Sequence, residues 1–434
     1  MPRLRLAFNR LNATRRGFIS IVGATAAGQV VALVAAPALT RLFTPTDFGL
    51  YAVLAALVTV AGTVFAFRLE AAIALPEKES AAYGLVAGGF LACVAGALVG
   101  TAGVAVAGDR LASMLGQADL MPWLWLVPLA SALMSSYLIL NQLAIRQRRY
   151  QAVARRNVVH ATTMVVTQVA AGVLGIKSAG LFLGLLLAHG VGAASLTRGS
   201  GLTTVAAREG IRPSQVRRVL RRYRRHVILL TPSGLLNVMG LQAPVILFAY
   251  HYGSQVAGWL GLTQRVLALP VALIGTAVAQ VFLAEFAAVA KTDLHRALRL
   301  FTRASRALVL ASSVLLVLVL FAAPAAFSLI FGEAWAPSGQ YARALAVGLA
   351  AQMIGSPLSQ TLIVLERPGM QLACDALRLA AVSAAVYGAA WSEASAASAV
   401  WILGGASAAV YALSWWLSYR CLVRATAAAG RRRR

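Results

Sequence analysis

Basic residues in this chain alternate between successive gaps that separate long apolar stretches. Of the 39 Lys and Arg residues, 33 lie in every second gap and only three lie in the opposite gaps. This alternation is the positive-inside pattern of a chain that crosses a membrane repeatedly. The last three, Arg265, Arg343 and Arg378, lie inside apolar stretches, where a charge is costly and marks a functional-site hypothesis.

The composition excludes a water-facing globular domain. Hydrophobic residues make up 60% of the chain, charged residues make up 12%, and the mean hydropathy is +0.76, so the surface must meet lipid. The net charge of +26 does not indicate nucleic-acid binding, because the basic residues occupy short connections and form no basic face on a soluble domain. We expect them to orient the helices and to contact anionic membrane lipid.

Twelve apolar runs have the length of about 20 residues that a membrane-spanning helix needs. The sequence therefore predicts an all-α polytopic protein of about 12 transmembrane helices in two pseudo-symmetric six-helix lobes. The runs cover residues 17–40, 49–67, 81–107, 121–145, 157–175, 178–197, 227–250, 256–283, 307–331, 340–365, 371–391 and 395–419. An even number of spans places both termini on the same side, predicted to be the cytoplasmic face of a bacterial inner membrane.

The predicted organisation is a six-span lobe at 1–197, a basic cytoplasmic linker at 198–226, a second lobe at 227–420 and a basic tail at 421–434. The linker is either a basic amphipathic helix lying on the inner membrane surface or a solvated loop. The lobes also align weakly as repeats, with Asn157 matching Asp375 and His160 matching Arg378. Transporters are often built this way, with the substrate path between the repeats.

Motifs of enzyme sites are absent from the sequence. It contains no H-E-x-x-H, no G-x-S-x-G and no Walker A motif. The three cysteines, Cys93, Cys374 and Cys421, have no metal-binding or redox spacing. We therefore predict a transporter rather than an enzyme, with no catalytic residue, no metal site and no cofactor.

Arg265 is the leading candidate for substrate contact, with Gln264 and Gln280 as further polar positions in the same predicted span. An arginine within a span either pairs inside the helix bundle or faces a water-filled cavity. No acidic residue lies near Arg265 in sequence, which favours the cavity.

Two further pairs and one histidine complete the candidates. Arg68 and Glu70 form either a local pair or the rim of a cytoplasmic vestibule. Asp375 and Arg378, three residues apart on one helical face, either neutralise each other or contribute to the cavity. His160, Glu70 and Asp375 are candidates for proton coupling, although an isolated histidine in a helix is more often structural.

Four segments resemble a known family. Residues 39–51, 68–76, 255–285 and 331–335 are similar to the Wzx-type polysaccharide repeat-unit flippases of the multidrug, oligosaccharidyl-lipid and polysaccharide exporter superfamily. The resemblance implies movement of an undecaprenyl-diphosphate-linked oligosaccharide from the inner to the outer leaflet by alternating access. The pathway would be that of O-antigen in lipopolysaccharide, of capsule or of exopolysaccharide, and Arg265 would contact the headgroup.

The same resemblance implies coupling to a proton or sodium gradient, and a polysaccharide polymerase and a chain-length protein as partners. Two other functions stay open from the sequence. One is a multidrug or other exporter of the same superfamily, and the other is a polysaccharide polymerase or ligase. The short outer loops disfavour the latter, because such enzymes generally build their active sites from sizeable outer loops.

Overall fold

A computed structural model describes residues 23–202, 213–271, 276–290 and 292–432 of the chain. Every regular element among these residues is helical, so the predicted all-α fold is confirmed. The helices are α1 Gly23–Leu42, α2 Pro45–Phe65, α3 Leu69–Ala72, α4 Glu79–Met114, α5 Met121–Leu124, α6 Leu126–Arg146, α7 Tyr150–Val173, α8 Lys177–Thr197, α9 Pro213–Pro270, α10 Thr276–Ala290, α11 Leu294–Phe331, α12 Ala336–Val364, α13 Pro368–Trp391 and α14 Ala396–Arg432. Short 3₁₀ turns occupy Ala118–Leu120 and Glu333–Trp335.

Ten helical stretches among the described residues are long and apolar enough to cross a membrane. The difference from twelve predicted spans has two causes. Helix α7 covers the fifth predicted span but is too polar to count among the ten. Predicted spans seven and eight both begin within the single long helix α9. Its only non-helical residue is Gly253, with φ 88° and ψ 167°. The two predicted spans are therefore counted as one helical stretch.

The basic segment predicted as a linker is helical from Pro213 and continues without interruption into the next span as α9. Its apolar side chains pack against α4. A Cβ atom placed on Gly88 would lie 2.9 Å from the Leu220 side chain, and one on Gly84 would lie 3.5 Å from Val219. The segment is therefore helical, as one of the two alternatives predicted, and its apolar face packs on α4.

Helix boundaries recur in the second half of the chain at a constant offset of 218 residues. Helix α6 ends at Arg146 and α12 ends at Val364, while α7 spans Tyr150–Val173 and α13 spans Pro368–Trp391. Each of these boundaries differs from its counterpart by the same 218 positions. The weak sequence repeat therefore corresponds to a repeat in local structure.

The turns that end these helices repeat as well. A residue with positive φ follows each helix. After α6 and α12 these residues are Arg148 (φ 57°) and Glu366 (φ 58°). After α7 and α13 they are Gly175 (φ 72°) and Glu393 (φ 52°). In all four turns, the next amide donates to a carbonyl five residues back, at 2.8 to 2.9 Å. This is the Schellman arrangement, which satisfies carbonyls at a helix end. The short connections predicted near 175–177 and 391–393 are therefore hydrogen-bonded turns between separate helices.

The chain divides into two compact units. Unit 1 comprises Met1–Phe43 and Leu50–Val238, and unit 2 comprises Thr44–Gly49 and Met239–Arg434.

In unit 1, α4 packs on α6, and α8 packs on both α6 and α7. Helix α6 approaches α2 closely enough for two serine hydroxyls to donate across the contact. Ser131 donates to the Val58 carbonyl at 3.2 Å, and Ser135 donates to the Gly62 carbonyl at 2.7 Å. Hydrogen bonds of this kind hold membrane helices together where no water competes.

In unit 2, α12 packs along α14 and α11, and small residues allow the closest approach. A Cβ atom on Gly348 would lie 2.8 Å from the Gly404 carbonyl oxygen, and one on Gly355 would lie 2.7 Å from that of Tyr411. Glycine is needed at these positions because any side chain would force the two helices apart.

The first turn of α2, within Thr44–Gly49, belongs to unit 2 by its contacts. A Cβ atom on Gly49 would overlap the carbonyl oxygen of Ser254 on α9. The Phe48 ring meets that of Trp335 edge to face, with centroids 4.9 Å apart. A residue early in the chain thus completes a unit built mainly from the second half.

Candidate functional site

Arg265 is a half-buried arginine on α9. Its Nη1 and Nη2 atoms are both buried and have no hydrogen-bond partner in the described part of the chain. The two ion pairs found there involve other arginines. A buried guanidinium that lacks partners is unfavourable, because its donors have lost water without replacement. Arg265 is therefore available to hold an anionic ligand.

Hydrogen bonds on the residues beside Arg265 fix this part of α9 within unit 2. The Thr263 hydroxyl donates to the Ser338 carbonyl at 2.8 Å, and Trp259 Nε1 donates to the Ala334 carbonyl at 2.8 Å. Ala334 lies in the turn between α11 and α12, and Ser338 lies in the first turn of α12. The backbone that carries Arg265 is therefore held in place by neighbours that leave the guanidinium itself uncommitted.

Of the two glutamines predicted to act with Arg265, only Gln264 has a side chain among the described residues. Gln264 is half-buried on α9. Gln280 lies on α10, and its side chain falls outside the described residues. The proposed contribution of these two amides therefore stays a prediction.

Asp375 and Arg378 meet in the interior of unit 2. The carboxylate and guanidinium lie 3.7 Å apart, and both side chains are more than nine-tenths buried. Arg378 also donates to the Tyr411 hydroxyl at 3.1 Å, and the Gln371 amide donates to Asp375 at 3.4 Å. A Cβ atom on Gly240 would lie 2.8 Å from Arg378 Nε. The pair has internal partners, which is the geometry of mutual neutralisation.

Arg68 and Glu70 form a local ion pair at the break after α2, with Arg68 Nε 3.6 Å from the carboxylate. Phe67 and Arg68 both have positive φ, at 45° and 53°. Thr231 donates to the Phe67 carbonyl at 3.0 Å, and the Arg68 side chain lies against Gly234. Burial raises the pKa of the Glu70 carboxyl, and the nearby Arg68 opposes this shift.

His160 is not isolated, because α8 brings a second histidine to it. The His160 and His189 ring centroids lie 5.1 Å apart, and Tyr137 lies 6.4 Å from His160. The Arg156 guanidinium carbon lies 3.0 Å from the centre of the Tyr137 ring, and Arg156 donates to the Asn157 side chain at 2.8 Å. Three buried nitrogens, Arg156 Nε, His160 Nε2 and His189 Nδ1, have no hydrogen-bond partner among the described residues.

Sequence reasoning missed Arg156, His189 and Tyr137. It counted Arg156 with the basic residues of a cytoplasmic connection, whereas α7 begins earlier and buries this side chain to 5% exposure. One signal was available: Arg156 and His160 are four residues apart and so share one face of a helix.

The unit 1 cluster is the repeat counterpart of the ion pair in unit 2. Asn157 stands where unit 2 has Asp375, and His160 stands where it has Arg378. The arginine of this cluster is Arg156, and no carboxylate pairs with it in the described part of the chain. Asn157 and His160 thus stand at the positions of the unit 2 ion pair, whereas Arg156 stands at the position of Cys374.

The described residues contain no group of three His, Cys, Asp or Glu placed to hold a metal ion. Cys93, Cys374 and Cys421 are free thiols. The polar groups described above are arginines, histidines and the carboxylates of Glu70 and Asp375.

The ten apolar helices define a multi-pass membrane protein, and its fold is shared with known membrane transporters. The structure is similar to the lipid II flippase MurJ in an inward closed conformation, with a TM-score of 0.67 and 11% identity over 94% of this chain and 90% of that one. It is also similar to an inward-facing MATE-family multidrug resistance transporter of the MOP superfamily, with a TM-score of 0.60 and 14% identity over 94% and 95% of the two chains. A MOP superfamily transporter from Pyrococcus furiosus matches with a TM-score of 0.61 and 13% identity over 95% and 96%.

A family model described as polysaccharide biosynthesis protein matches residues 38–340. The chain therefore belongs to this polysaccharide biosynthesis family. The family resemblance inferred from the sequence is confirmed by this match and by the shared superfamily fold. A comparison with proteins of curated function gave no match.

Proposed function

We propose that this protein is a flippase for lipid-linked oligosaccharide repeat units. It moves an undecaprenyl-diphosphate-linked oligosaccharide from the inner to the outer leaflet of a bacterial inner membrane by alternating access. The product serves O-antigen, capsule or exopolysaccharide synthesis. The observation that carries the proposal is the unpartnered, buried guanidinium of Arg265 in a member of a polysaccharide biosynthesis family.

The chemistry of the substrate explains why such an arginine is needed. Sugar hydroxyls and a diphosphate cannot enter hydrocarbon unless other polar groups replace their water. Arginine suits the diphosphate because its planar fork donates paired hydrogen bonds to phosphate oxygens and keeps its charge when desolvated. Arg378 is committed to Asp375 and Tyr411, whereas Arg265 has both terminal nitrogens free within the described residues.

The membrane potential contributes to the direction of transport. An inside-negative potential favours outward movement of an anion by about 2.3 kcal/mol per charge per 100 mV. Arg265 moving with the diphosphate would cancel part of this charge. Return of the empty carrier would then draw on a proton or sodium gradient, and His160, Glu70 and Asp375 are the candidate proton carriers.

The test replaces Arg265 in a strain whose chromosomal copy is deleted. Arg265→Gln removes the charge and should lower polymer export roughly tenfold or more, with lipid-linked single repeat units retained on the inner leaflet. Arg265→Lys should give an intermediate value, because lysine keeps the charge and loses the fork.

The matched control is Arg343→Gln, which removes an exposed arginine from α12 and should leave export unchanged. If Arg265→Gln exports polymer at the wild-type level, at equal membrane abundance, the proposed role of Arg265 is wrong. Accumulation of repeat units on the outer leaflet after gene deletion would indicate a polymerase or ligase instead of a flippase.

The second candidate is export of drugs or other small molecules, and its support is the fold shared with MATE transporters. A cationic substrate would need an acidic group in the membrane, and Asp375 is already paired with Arg378. Increased susceptibility of the deletion strain to cationic drugs, with normal polymer export, would favour this function.

A further inference from the structure

A groove lies in unit 1 between α4 and the first turns of α9, with a cavity volume of about 890 Å³. One wall is apolar and belongs to α4, and the other belongs to the basic segment of α9. The lining residues are Ala87, Phe90, Leu91 and Val94 on α4, and Pro213, Val216, Arg217, Leu220, Arg221 and Arg224 on α9. The groove thus combines a hydrocarbon-like surface with three guanidinium groups.

A second cavity of about 520 Å³ adjoins the groove, and most of its lining residues are polar. It shares Pro213, Arg217 and Arg221 with the groove and adds Ser214 and Arg218. Among the residues that the structure describes, no acidic side chain lines either cavity. The space is therefore apolar toward α4 and strongly cationic around the start of α9.

The arginines that line these cavities form no ion pair with a carboxylate in the described part of the chain. The ion pairs of the described residues are Arg68 with Glu70 and Arg378 with Asp375, and neither involves α9 arginines. The side chains at 217, 218, 221 and 224 are exposed. Several like charges held together repel one another, and an external anion offsets that repulsion.

The apolar wall indicates where the groove lies relative to lipid. Leu91 and Val94 are 63% and 58% exposed, whereas Leu85 and Val86, one to two turns earlier on α4, are fully buried. Helix α4 has 36 residues and is roughly 54 Å long, well beyond the roughly 30 Å of a hydrocarbon core. Part of this helix must therefore lie outside the hydrocarbon. The α9 arginines lie beside the point on α4 where large exposed apolar side chains begin.

The groove is held open by fixed contacts. Val216 is 7% exposed, and Leu220 lies against Gly88 of α4. Val219 and Tyr223 pack on the core cluster that contains Leu85. Because this helix face is anchored, the backbone that carries the arginines is held beside α4.

We propose that this groove binds an anionic phospholipid of the surrounding membrane. The phosphate headgroup contacts Arg217, Arg221 and Arg224, and an acyl chain lies along Leu91 and Val94. A lipid satisfies both walls at once, whereas a soluble phosphate would leave the apolar wall uncovered. This is a binding site additional to the one proposed at Arg265, and it does not depend on the flippase proposal.

The test is native mass spectrometry of the purified full-length protein titrated with phosphatidylglycerol, and with phosphatidylcholine for comparison. The triple variant Arg217→Gln, Arg221→Gln and Arg224→Gln should weaken the tightest phosphatidylglycerol binding about tenfold or more. The matched control Arg222→Gln, Arg303→Gln and Arg306→Gln removes three exposed arginines that do not line the groove and should change it less than about twofold.

A second variant tests the apolar wall without changing charge. Leu91→Trp fills the groove and should weaken phosphatidylglycerol binding, whereas Leu98→Trp, also on the exposed face of α4, should not. The proposal is overturned if the two arginine triples lose affinity equally, because charge alone would then explain binding. It is also overturned if glycerol 3-phosphate displaces phosphatidylglycerol at equal concentration, because the ligand would then be a soluble anion.

Discussion

Replacing Asp375 by Asn should destabilise the protein through the charge left behind on Arg378. Both side chains are more than nine-tenths buried and 3.7 Å apart. Removing one partner of a buried pair costs about 3–5 kcal/mol. Arg378 keeps its hydrogen bond to Tyr411 at 3.1 Å, so the lower end, about 3 kcal/mol, applies.

The double variant separates a buried charge from a simple loss of contact. Asp375→Asn combined with Arg378→Gln leaves no charge in the site, and exchanging a whole buried pair for neutral groups costs much less than breaking it. We expect the double variant to be more stable than either single variant, with a coupling energy of at least about 2 kcal/mol.

The free energy of unfolding is measured in mixed micelles by titration with sodium dodecyl sulfate, followed by tryptophan fluorescence. The wild type, both single variants and the double variant are compared at one pH and one salt concentration. Additive losses in the double variant, or a loss below about 1 kcal/mol in Asp375→Asn, would refute the reasoning, because either result means that water already screens the pair.

Three further predictions concern other parts of the structure. Gly348→Ala should lower the free energy of unfolding by about 1–3 kcal/mol, because the new methyl group is overpacked against Gly404. The control Gly369→Ala places a methyl group that meets no atom within 4 Å and should not destabilise the protein. Thermal unfolding of the two variants tests this difference. Because burial raises the pKa of Glu70, the folded state binds its proton more tightly than the unfolded state, and stability falls as pH rises from the ordinary carboxyl range through the raised pKa. Glu70→Gln should therefore raise the melting temperature at neutral pH and not in acid, and an equal gain at both would contradict this. Arg156→Gln removes a buried charge that has no carboxylate partner among the described residues and should leave the melting temperature unchanged or higher; a large loss of stability would show that the charge is compensated.

The sequence predicted the helices well because the signal is physical and local. A helix that crosses hydrocarbon must be apolar over about 20 residues, and the basic residues mark its ends. Turns of a few residues, such as the one at Gly175, were also recognisable because a charged residue interrupts the apolar run there. The sequence offered an amphipathic helix as one alternative for the basic segment. It did not show that this helix continues into the next span as α9 or that it packs on α4, because both depend on tertiary contacts.

The candidate site was predicted in part. Intramembrane charge alone nominated Arg265, Asp375 and Arg378, and the ion pair follows from their spacing on one helix. The association of His160 with His189 could not be read from the sequence, because it depends on how α7 packs against α8. Whether a polar side chain has a hydrogen-bond partner depends on tertiary packing, so it cannot be predicted from composition.

The contact of Gly49 with Ser254 and of Phe48 with Trp335 has a consequence for biosynthesis. The first turn of α2 is inserted early, but its partners are synthesised some two hundred or more residues later. During translation this glycine and this aromatic ring remain without their final neighbours, so the second helix cannot reach its native environment until most of the chain has entered the membrane. A ribosome-arrested or truncated N-terminal half would therefore present an incomplete surface to chaperones and quality-control proteases.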